Sequence, residues 1–491
     1  MSSSFHALKA FVKGTSIYTI ASVLQAIFPL LTLPIIARQL SVMEFGFVET
    51  FIVSNAFIMA ISATPAVSTF NFFYHKQSAR LGIGSALQGW YLGPGLVLTF
   101  ICTAAFSFLI NWEMFGVDKF IIFLLATIFF ISNQFISAMV NTLRMSEQPY
   151  SCAIFMLLSS ATISGIATVC CFYFYDSSLI AYLSGLLVAN LFMAIIGFFL
   201  VRNLLRTSDL MSWNFVTVTA QWKRFLIFGY PLIPAALAEV SLAYLDRIIV
   251  LYLSNNDALG EYAMAGRVAG ILSLAISGIV MALAPYTLKL IHSSNSQTAS
   301  QGIGNVWRYH SFFCMLFCCT LTVMAPYLME LIGGPAYQSA SNVMPWLALS
   351  IAFYSFTHYT YLGTLKTERT ILFSISVLAG LIIIIVIPYL INAFFYIVNV
   401  PYIVAISRLV GTLVVVMVSL CFSQKLYPLK LPFYTVGAQS VIAICFVSTL
   451  PLIDNQITRF GALLFVATIL LIISVRKSDY QLIKKLFPRL L

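Results

Sequence analysis

Six charged residues lie inside long apolar stretches of this sequence: Glu49, Glu239, Asp246, Arg247, Arg267 and Arg408. A charge inside a bilayer costs from about 3 to more than 10 kcal/mol, so such residues usually face a partner or a water-filled cavity. The arginines favour anions, because their planar guanidinium groups match the geometry of phosphate oxygens. Carboxyl groups held away from bulk water are suited to taking up and releasing protons. These residue types together predict an anion-binding site coupled to a titratable acid.

The three arginines differ in their depth along the predicted helices. Arg267 and Arg408 lie about 12 to 13 Å from the outer ends of theirs, at 1.5 Å per residue, so their head groups reach the membrane surface with difficulty. Arg247 lies only about 9 Å from the outer end and could extend to the interface instead. We assign all three arginines to substrate binding.

The carboxylates are assigned by the same reasoning. Glu239 lies about 16 Å into its predicted helix, and Asp246 follows seven residues later on the same helix face. We assign both to ion coupling. Asp246 could alternatively neutralise a neighbouring arginine, and Glu49, near an outer helix end, is interpreted as structural.

Membrane helices must position these residues. Hydrophobic residues make up 61% of the 491 residues and charged residues only 8%, and a spanning helix needs about 20 consecutive apolar residues. Fourteen stretches meet this requirement: 14–37, 46–70, 83–110, 119–140, 151–175, 177–201, 228–253, 260–288, 309–329, 342–363, 371–391, 399–422, 433–453 and 457–475. The sequence therefore predicts an all-α polytopic membrane protein with about 14 transmembrane helices and no soluble domain.

The distribution of lysine and arginine predicts the topology. With a cytoplasmic N-terminus, 20 basic residues lie inside, fifteen in the loops and the segment before the first span and five in the C-terminal tail, against only Arg38, Lys119 and Arg459 outside. Short cytoplasmic loops carry this excess in membrane proteins. We therefore place both termini in the cytoplasm, in a bacterial inner membrane. The basic loops attract anionic membrane lipids, and no nucleic-acid partner is expected.

No motif of an enzyme, metal site or cofactor site stands out. The nine cysteines all lie in apolar spans and are interpreted as small core residues, and the histidines are scattered. No glycine-rich phosphate loop or nucleophile elbow is present. We therefore expect neither catalysis nor a metal ion nor a cofactor.

An internal repeat predicts two lobes. The segments Leu40–Gly46 and Leu253–Gly260 match, and the glycines and basic anchors around them repeat at an offset of about 214 residues. Six spans per copy give parallel copies, related by a pseudo-twofold axis along the membrane normal, with a substrate site at mid-membrane between them. The offset superposes Gln25 on Glu239, which adds Gln25 to the predicted substrate-binding residues.

The predicted domains are an N-terminal lobe 1–215, a C-terminal lobe 216–425, and a segment 426–491 with two further spans and a basic cytoplasmic tail. Within the first span, Pro29 frees a backbone carbonyl and predicts a bend that protein or water must satisfy. The two last spans either cradle a lipid tail or pack against the second lobe.

Three segments of the sequence form recognisable motifs: Lys13-Gly14, the run PIIARQLSVMEFG at 34–46, and DRIIV at 246–250 followed by GEY at 260–262. These segments resemble Wzx-type polysaccharide flippases of the multidrug/oligosaccharidyl-lipid/polysaccharide exporter superfamily. The resemblance implies export of a polyprenyl-diphosphate-linked oligosaccharide, for O-antigen or a related glycan in lipopolysaccharide biosynthesis. It implies that export follows alternating access and is driven by an ion gradient. It also implies a polysaccharide polymerase and a chain-length regulator as partners. Arg38 joins the substrate-binding residues through this motif alone.

Other functions stay open at this level. A drug/cation antiporter of the same superfamily fits the span count, but its cationic substrates fit poorly with buried arginines. A lipid II-type flippase also carries a diphosphate-linked substrate. A polytopic polysaccharide polymerase belongs to the same pathway, but such enzymes usually carry a large periplasmic loop, and the longest outside connection here is about a dozen residues. No channel filter motif is present.

Overall fold

A computed structural model describes residues 2–73, 83–109, 119–146, 148–174, 178–204, 215–230, 233–276, 296–367, 369, 371–394, 399–428, 431–453 and 455–475. Within these residues the regular secondary structure is entirely helical. Long apolar stretches form helices in lipid because each helix satisfies its own backbone hydrogen bonds. The prediction of an all-α polytopic membrane protein is confirmed. The chain divides into two compact units, Met1–Ile248 and Ile249–Leu491.

The first unit contains ten helices among the described residues, the tenth of which runs into the second unit. They are α1 Ser2–Gln39, α2 Val42–Ser62, α3 Thr64–Phe73, α4 Ile83–Trp90, α5 Pro94–Leu109, α6 Lys119–Met145, α7 Pro149–Tyr173, α8 Ser178–Leu204, α9 Phe215–Arg224 and α10 Ile233–Leu253. A π-helical turn, Phe225–Gly229, follows α9 directly. The boundary between the units falls within α10.

Packing in the first unit joins α1 to α7, α7 to α8, and α8 to α6. A second layer consists of short helices, in which α4 contacts α9 and the π-helical turn contacts α3. The buried rings of Trp90, Tyr91 and Phe225 lie in one apolar cluster there. The indole N–H of Trp90 donates to the Ser62 carbonyl at 2.9 Å, which satisfies its polar atom inside the core.

The second unit contains nine further helices among the described residues. They are α11 Asn256–Ala269, α12 Ser296–Gly333, α13 Met344–Ser355, α14 Thr357–Thr360, α15 Leu362–Lys366, α16 Ile371–Phe394, α17 Val400–Leu426, α18 Phe433–Thr449 and α19 Gln456–Ser474. Two 3₁₀ segments, Pro335–Asn342 and Leu450–Leu452, connect them.

The final two helices, α18 and α19, both pack against α12 of the second unit. The side chain of Gln439 on α18 donates to the Ser474 hydroxyl on α19 at 2.6 Å and to the Arg308 carbonyl on α12 at 3.5 Å. The other face of α19 is exposed, with Ile457 81% and Leu464 70% exposed. Large apolar side chains with this exposure require lipid as their solvent. The division into 1–215, 216–425 and 426–491 stays a prediction.

Twelve helices within the described part of the chain are long and apolar enough to cross a membrane. The predicted span 228–253 does not correspond to any of these twelve helices, because its helix α10 carries three charged residues, Glu239, Asp246 and Arg247. Of the other thirteen predicted spans, all except 342–363 overlap with these helices, at shifted boundaries.

The predicted span 342–363 is broken into α13, α14 and α15. Hydroxyl groups lie at the interruption, where they bond to carbonyls three residues back, and such bonds can compete with the helical ladder. Thr357 donates to the Tyr354 carbonyl at 2.6 Å, and Thr364 donates to the Tyr361 carbonyl at 2.6 Å. An apolar composition alone does not reveal this competition.

The repeated segments begin their helices in the same register. Ser41 caps α2 in a capping box with Glu44, and Asn255 caps α11 by accepting from the Ala258 N–H at 2.8 Å. Val42 and Asn256, the first residues of the two helices, coincide under the 214-residue offset. In the structure, the two repeated segments therefore begin a helix at equivalent positions.

Candidate functional site

An ion pair between α10 and α2 forms the charged centre of the first unit. The Nε of Arg247 lies 2.6 Å from Oε1 of Glu49 on α2. The side chain of Arg247 is 12% exposed and that of Glu49 is 3% exposed. A buried guanidinium needs a matched carboxylate at this distance, because desolvation would otherwise make the charge very costly.

A second carboxylate completes this centre. Asp246 Oδ1 lies 3.7 Å from Nη1 of Arg247 and accepts the Arg247 backbone N–H at 3.0 Å. Nη1 also donates to the Ala243 carbonyl at 2.9 Å, and the guanidinium lies 5.1 Å from the Tyr244 ring centroid. The centre thus holds two carboxylates against one guanidinium. Binding of substrate by Arg247 and ion coupling by Asp246 stay predictions.

Sequence reasoning did not pair Glu49 with Arg247, although it placed both near the outer end of the membrane. Glu49 is 2% exposed and lies on the buried face of α2. The only sequence signal was an acidic residue at a similar predicted depth to Arg247.

Glu239 lies on α10 two turns before Asp246 and has a different environment. Its side chain is exposed, whereas Asp246 is 1% exposed. The seven-residue spacing puts both on one helix face, so the packing of the first unit covers only the later end of that face. The assigned role of Glu239 in ion coupling stays a prediction.

Gln25 lies at a proline-induced gap in the α1 ladder. Pro29 has no N–H and therefore leaves the carbonyl of Gln25 without its helical donor. The Ser160 hydroxyl of α7 donates to this carbonyl at 2.7 Å. The sequence predicted that protein or water would satisfy this carbonyl, and α7 supplies the partner. The Gln25 side chain is half-buried, and its contact with substrate stays a prediction.

A chain of amides extends the polar interior of the first unit. Asn55 of α2 donates to Asn133 of α6 at 3.4 Å, and Asn133 donates to Asn190 of α8 at 3.4 Å. Asn190 is fully buried and donates to the Leu186 carbonyl at 2.7 Å. Sequence reasoning missed these residues, because single asparagines in three separate helices carry no spacing signal.

Arg267 and Arg408 lie on neighbouring helices of the second unit. Arg267 is on α11 and Arg408 is on α17, and these two helices contact each other. Both side chains are half-buried. They lie about 16 Å and 12 Å from the first residues of their helices, at 1.5 Å per residue. The structure therefore brings the helices of these two arginines together, and their depths in the membrane stay predictions.

Arg38 lies at the end of α1, immediately before the turn to α2, and its side chain is exposed. No group of three or more His, Cys, Asp or Glu side chains within the described residues is arranged to hold a metal ion.

The fold is similar to that of known membrane transporters. The structure titled "Lipid II flippase MurJ, inward closed conformation" matches with a TM-score of 0.67 at 13% identity, covering 96% of this chain and 100% of that chain. An inward-facing multidrug resistance MATE family transporter of the MOP superfamily matches with a TM-score of 0.61 at 12% identity, covering 85% and 96%. At these identities the likeness shows the fold alone.

Sequence comparison supplies the family. An uncharacterized membrane protein of Haemophilus influenzae is 26% identical over 281 residues, covering 56% of this chain and 64% of the relative. The chain thus spans less than two thirds of the length of the curated relatives it matches. The family described as "Polysaccharide biosynthesis protein" matches residues 11–291, which is more than half of the chain. The chain therefore belongs to the polysaccharide biosynthesis protein family.

Proposed function

We propose that this protein is a flippase that moves a polyprenyl-diphosphate-linked oligosaccharide from the cytoplasmic to the periplasmic leaflet of a bacterial inner membrane. One observation carries the proposal: a member of the polysaccharide biosynthesis protein family has, over 96% of its length, the fold of a lipid II flippase. The cargo is an O-antigen or related surface-glycan repeat unit, and movement follows alternating access.

The arginines support an anionic substrate. Arg267 and Arg408 lie on contacting helices of the second unit, half-buried and far from the helix starts. Guanidinium groups bind phosphate oxygens through paired N–H donors. We therefore assign the diphosphate of the lipid carrier to Arg267 and Arg408, with Arg247, Gln25 and Arg38 as further substrate contacts.

Ion coupling is assigned to Glu239, with Asp246 as its neighbour on α10. The exposure of Glu239 supports this role, because a coupling group must reach water on each side of the membrane in turn. Asp246, by contrast, is buried against Arg247. We therefore assign it a secondary role in ion coupling.

A drug/cation antiporter is the second candidate, favoured by the likeness to a multidrug resistance transporter. Half-buried arginines repel cationic substrates, so the charge of the second unit favours the lipid-linked glycan. A lipid II-type substrate is the nearest alternative within that class, since it shares the diphosphate. A polymerase and a chain-length regulator are the expected partners of the proposed step.

Transport by the purified full-length protein tests the proposal. The protein is reconstituted into vesicles with a fluorescent polyprenyl-diphosphate oligosaccharide, and a membrane-impermeant reagent measures the lipid that reaches the outer leaflet. We expect flipping that depends on the protein and on an imposed proton or sodium gradient. A cationic dye accumulated in place of the lipid would establish the antiporter, and flipping of lipid II alone would establish the other flippase branch.

A further inference from the structure

A cavity of about 560 Å³ lies within the second unit and is not used by the proposed transport site. The end of α12, the 3₁₀ segments Pro335–Asn342 and Leu450–Leu452, and the beginnings of α13 and α17 enclose it. Cavities that hold small organic ligands measure about 300–1,000 Å³. On the topology that the lysines and arginines predict, these helix ends face away from the cytoplasm.

Three amide side chains contribute to the polar lining. Gln338 and Asn342 line the cavity and are exposed. Asn399 also lines it and is held in place, because its Oδ1 accepts the Tyr402 N–H at 3.1 Å and caps α17. Amides offer both donors and acceptors, which sugar hydroxyl groups require.

Aromatic rings lie beside these amides. Trp346 and Tyr402 line the cavity, with ring centroids 5.9 Å apart and ring planes at 88°. An aromatic face packs well against the C–H face of a pyranose ring, while the polar edge of the ring system stays available for hydrogen bonds. Aromatic rings next to amides are therefore typical of a saccharide site.

The charged groups that line the cavity do not suit a cation or a diphosphate as its ligand. Arg459 is the charged side chain among its described lining residues, and none of them is acidic. The guanidinium is fixed at one atom, since Nε donates to the Ile453 carbonyl at 2.6 Å. A cation would find no carboxylate here, and a diphosphate would find a single cationic partner. The lining fits a neutral or mildly acidic sugar.

We propose that this cavity is a carbohydrate-binding subsite for the oligosaccharide of the cargo on the outer side of the membrane. The assignment rests on the proposed function for the identity of the glycan. It adds a second contact point for the cargo: the diphosphate binds at the arginines of α11 and α17, while the sugars are held by Gln338, Asn342 and Asn399.

Binding to the purified full-length protein tests the subsite without requiring transport. The probe is the free oligosaccharide released by mild acid from the lipid-linked donor of the source bacterium, and titration calorimetry measures its affinity. The variant Gln338→Ala/Asn342→Ala removes two exposed amides from the cavity. The matched control is Asn305→Ala, an exposed amide near the other end of α12.

We expect the parent and the control to bind the oligosaccharide equally and the double variant to bind about tenfold more weakly, as the loss of two hydrogen bonds predicts. Size-exclusion chromatography verifies that each variant is folded. Equal affinity of the double variant, or no binding to the parent, overturns the subsite. Inorganic pyrophosphate is titrated in parallel; if it binds and is lost in Arg459→Gln, the cavity is an anion site and the proposal is wrong.

The outcome is separable from that of the proposed function. Flipping without saccharide binding would overturn the subsite alone. The parent protein could also bind the saccharide, and the double variant lose that binding, while the parent does not flip the lipid-linked donor. That result would support the subsite and overturn the transport proposal.

Discussion

At the residue scale, the proposed class of substrate depends on the arginines of α11 and α17. A guanidinium group and an ammonium group carry the same charge but differ in geometry, since only the guanidinium presents a fixed pair of donors. Arg267 and Arg408 are both half-buried, and under the proposed function their side chains bind a ligand within the membrane.

We expect the double variant Arg267→Gln/Arg408→Gln to reduce surface glycan at least about tenfold in a deletion strain, because two cationic groups for the diphosphate are removed. Lysine at both positions should rescue in part, since it keeps the charge and loses the paired donors. Arg202→Gln, at an exposed position at the end of α8, is the control. Normal glycan in the glutamine variant, with protein present in the membrane, would refute the assignment.

Glu239→Gln gives the second residue-scale prediction. The amide mimics a permanently neutral carboxyl group, so the variant should bind substrate and lose the dependence of flipping on the ion gradient. Vesicle transport is measured with and without an imposed proton or sodium gradient, and Glu330→Gln, an exposed carboxyl group on α12, serves as control. A response of Glu239→Gln equal to that of the parent would leave Glu239 as a structural polar residue.

The Glu49–Arg247 pair makes the third prediction, for stability rather than transport. Glu49→Gln leaves a buried guanidinium without its nearest carboxylate, which should destabilise the protein by about 3 kcal/mol. The double variant Glu49→Gln/Arg247→Gln should be less destabilised than the sum of the single variants. Thermal unfolding followed by size-exclusion chromatography measures each change, and additive losses would show that the pair has no coupling.

At the element scale, the π-helical turn Phe225–Gly229 joins α9 to the helix that carries the charged centre. Gly229 packs directly against the backbone carbonyl of Pro65 in α3, and a Cβ atom there would overlap with it. π-Helical turns in helical segments frequently lie at functional sites. The close approach to Pro65 is possible because Gly229 has no side chain.

We expect Gly229→Ala to destabilise the protein by about 1 to 3 kcal/mol, because the turn must move away from α3. The matched control is Gly165→Ala in α7, where no neighbouring atom lies within 4 Å of the added carbon. That change should be neutral or slightly stabilising, since alanine has the higher helix propensity. Equal melting temperatures for the two variants would show that the contact with Pro65 adapts freely.

At the scale of the whole molecule, the predicted duplication requires that Gln25 and Glu239 face the same aqueous cleft. The structure gives α2 and α11 the same capped start under the 214-residue offset. If the duplication holds, both positions belong to equivalent first helices of two lobes, and water should reach each of them during the transport cycle.

A cysteine-accessibility experiment tests this arrangement. In a cysteine-free background, Gln25→Cys and Glu239→Cys should react with a hydrophilic maleimide, and reaction should slow when substrate is bound. Ile382→Cys, on the exposed apolar face of α16, is the control and should stay unlabelled in lipid. Absence of labelling at both test positions would place the first and seventh predicted spans away from any cleft.

The sequence by itself determined the class of the molecule. Hydropathy is a local property, so most membrane helices could be predicted from composition within single segments, and a carbonyl freed by Pro29 could be anticipated from the chemistry of proline. The positions of Arg267 and Arg408 along their helices also follow from the sequence, because a helix converts residue number directly into distance.

Only the tertiary structure decided which of these groups meet. Glu49 pairs with Arg247, Ser160 satisfies the carbonyl of Gln25, and Asn55 and Asn133 join in one amide chain, each between helices distant in the sequence. Such partners depend on which helix faces pack together, and a nearly uniform apolar composition carries little record of that choice. The same holds for the cavity of the second unit, whose lining comes from five separate segments brought together at one set of helix ends.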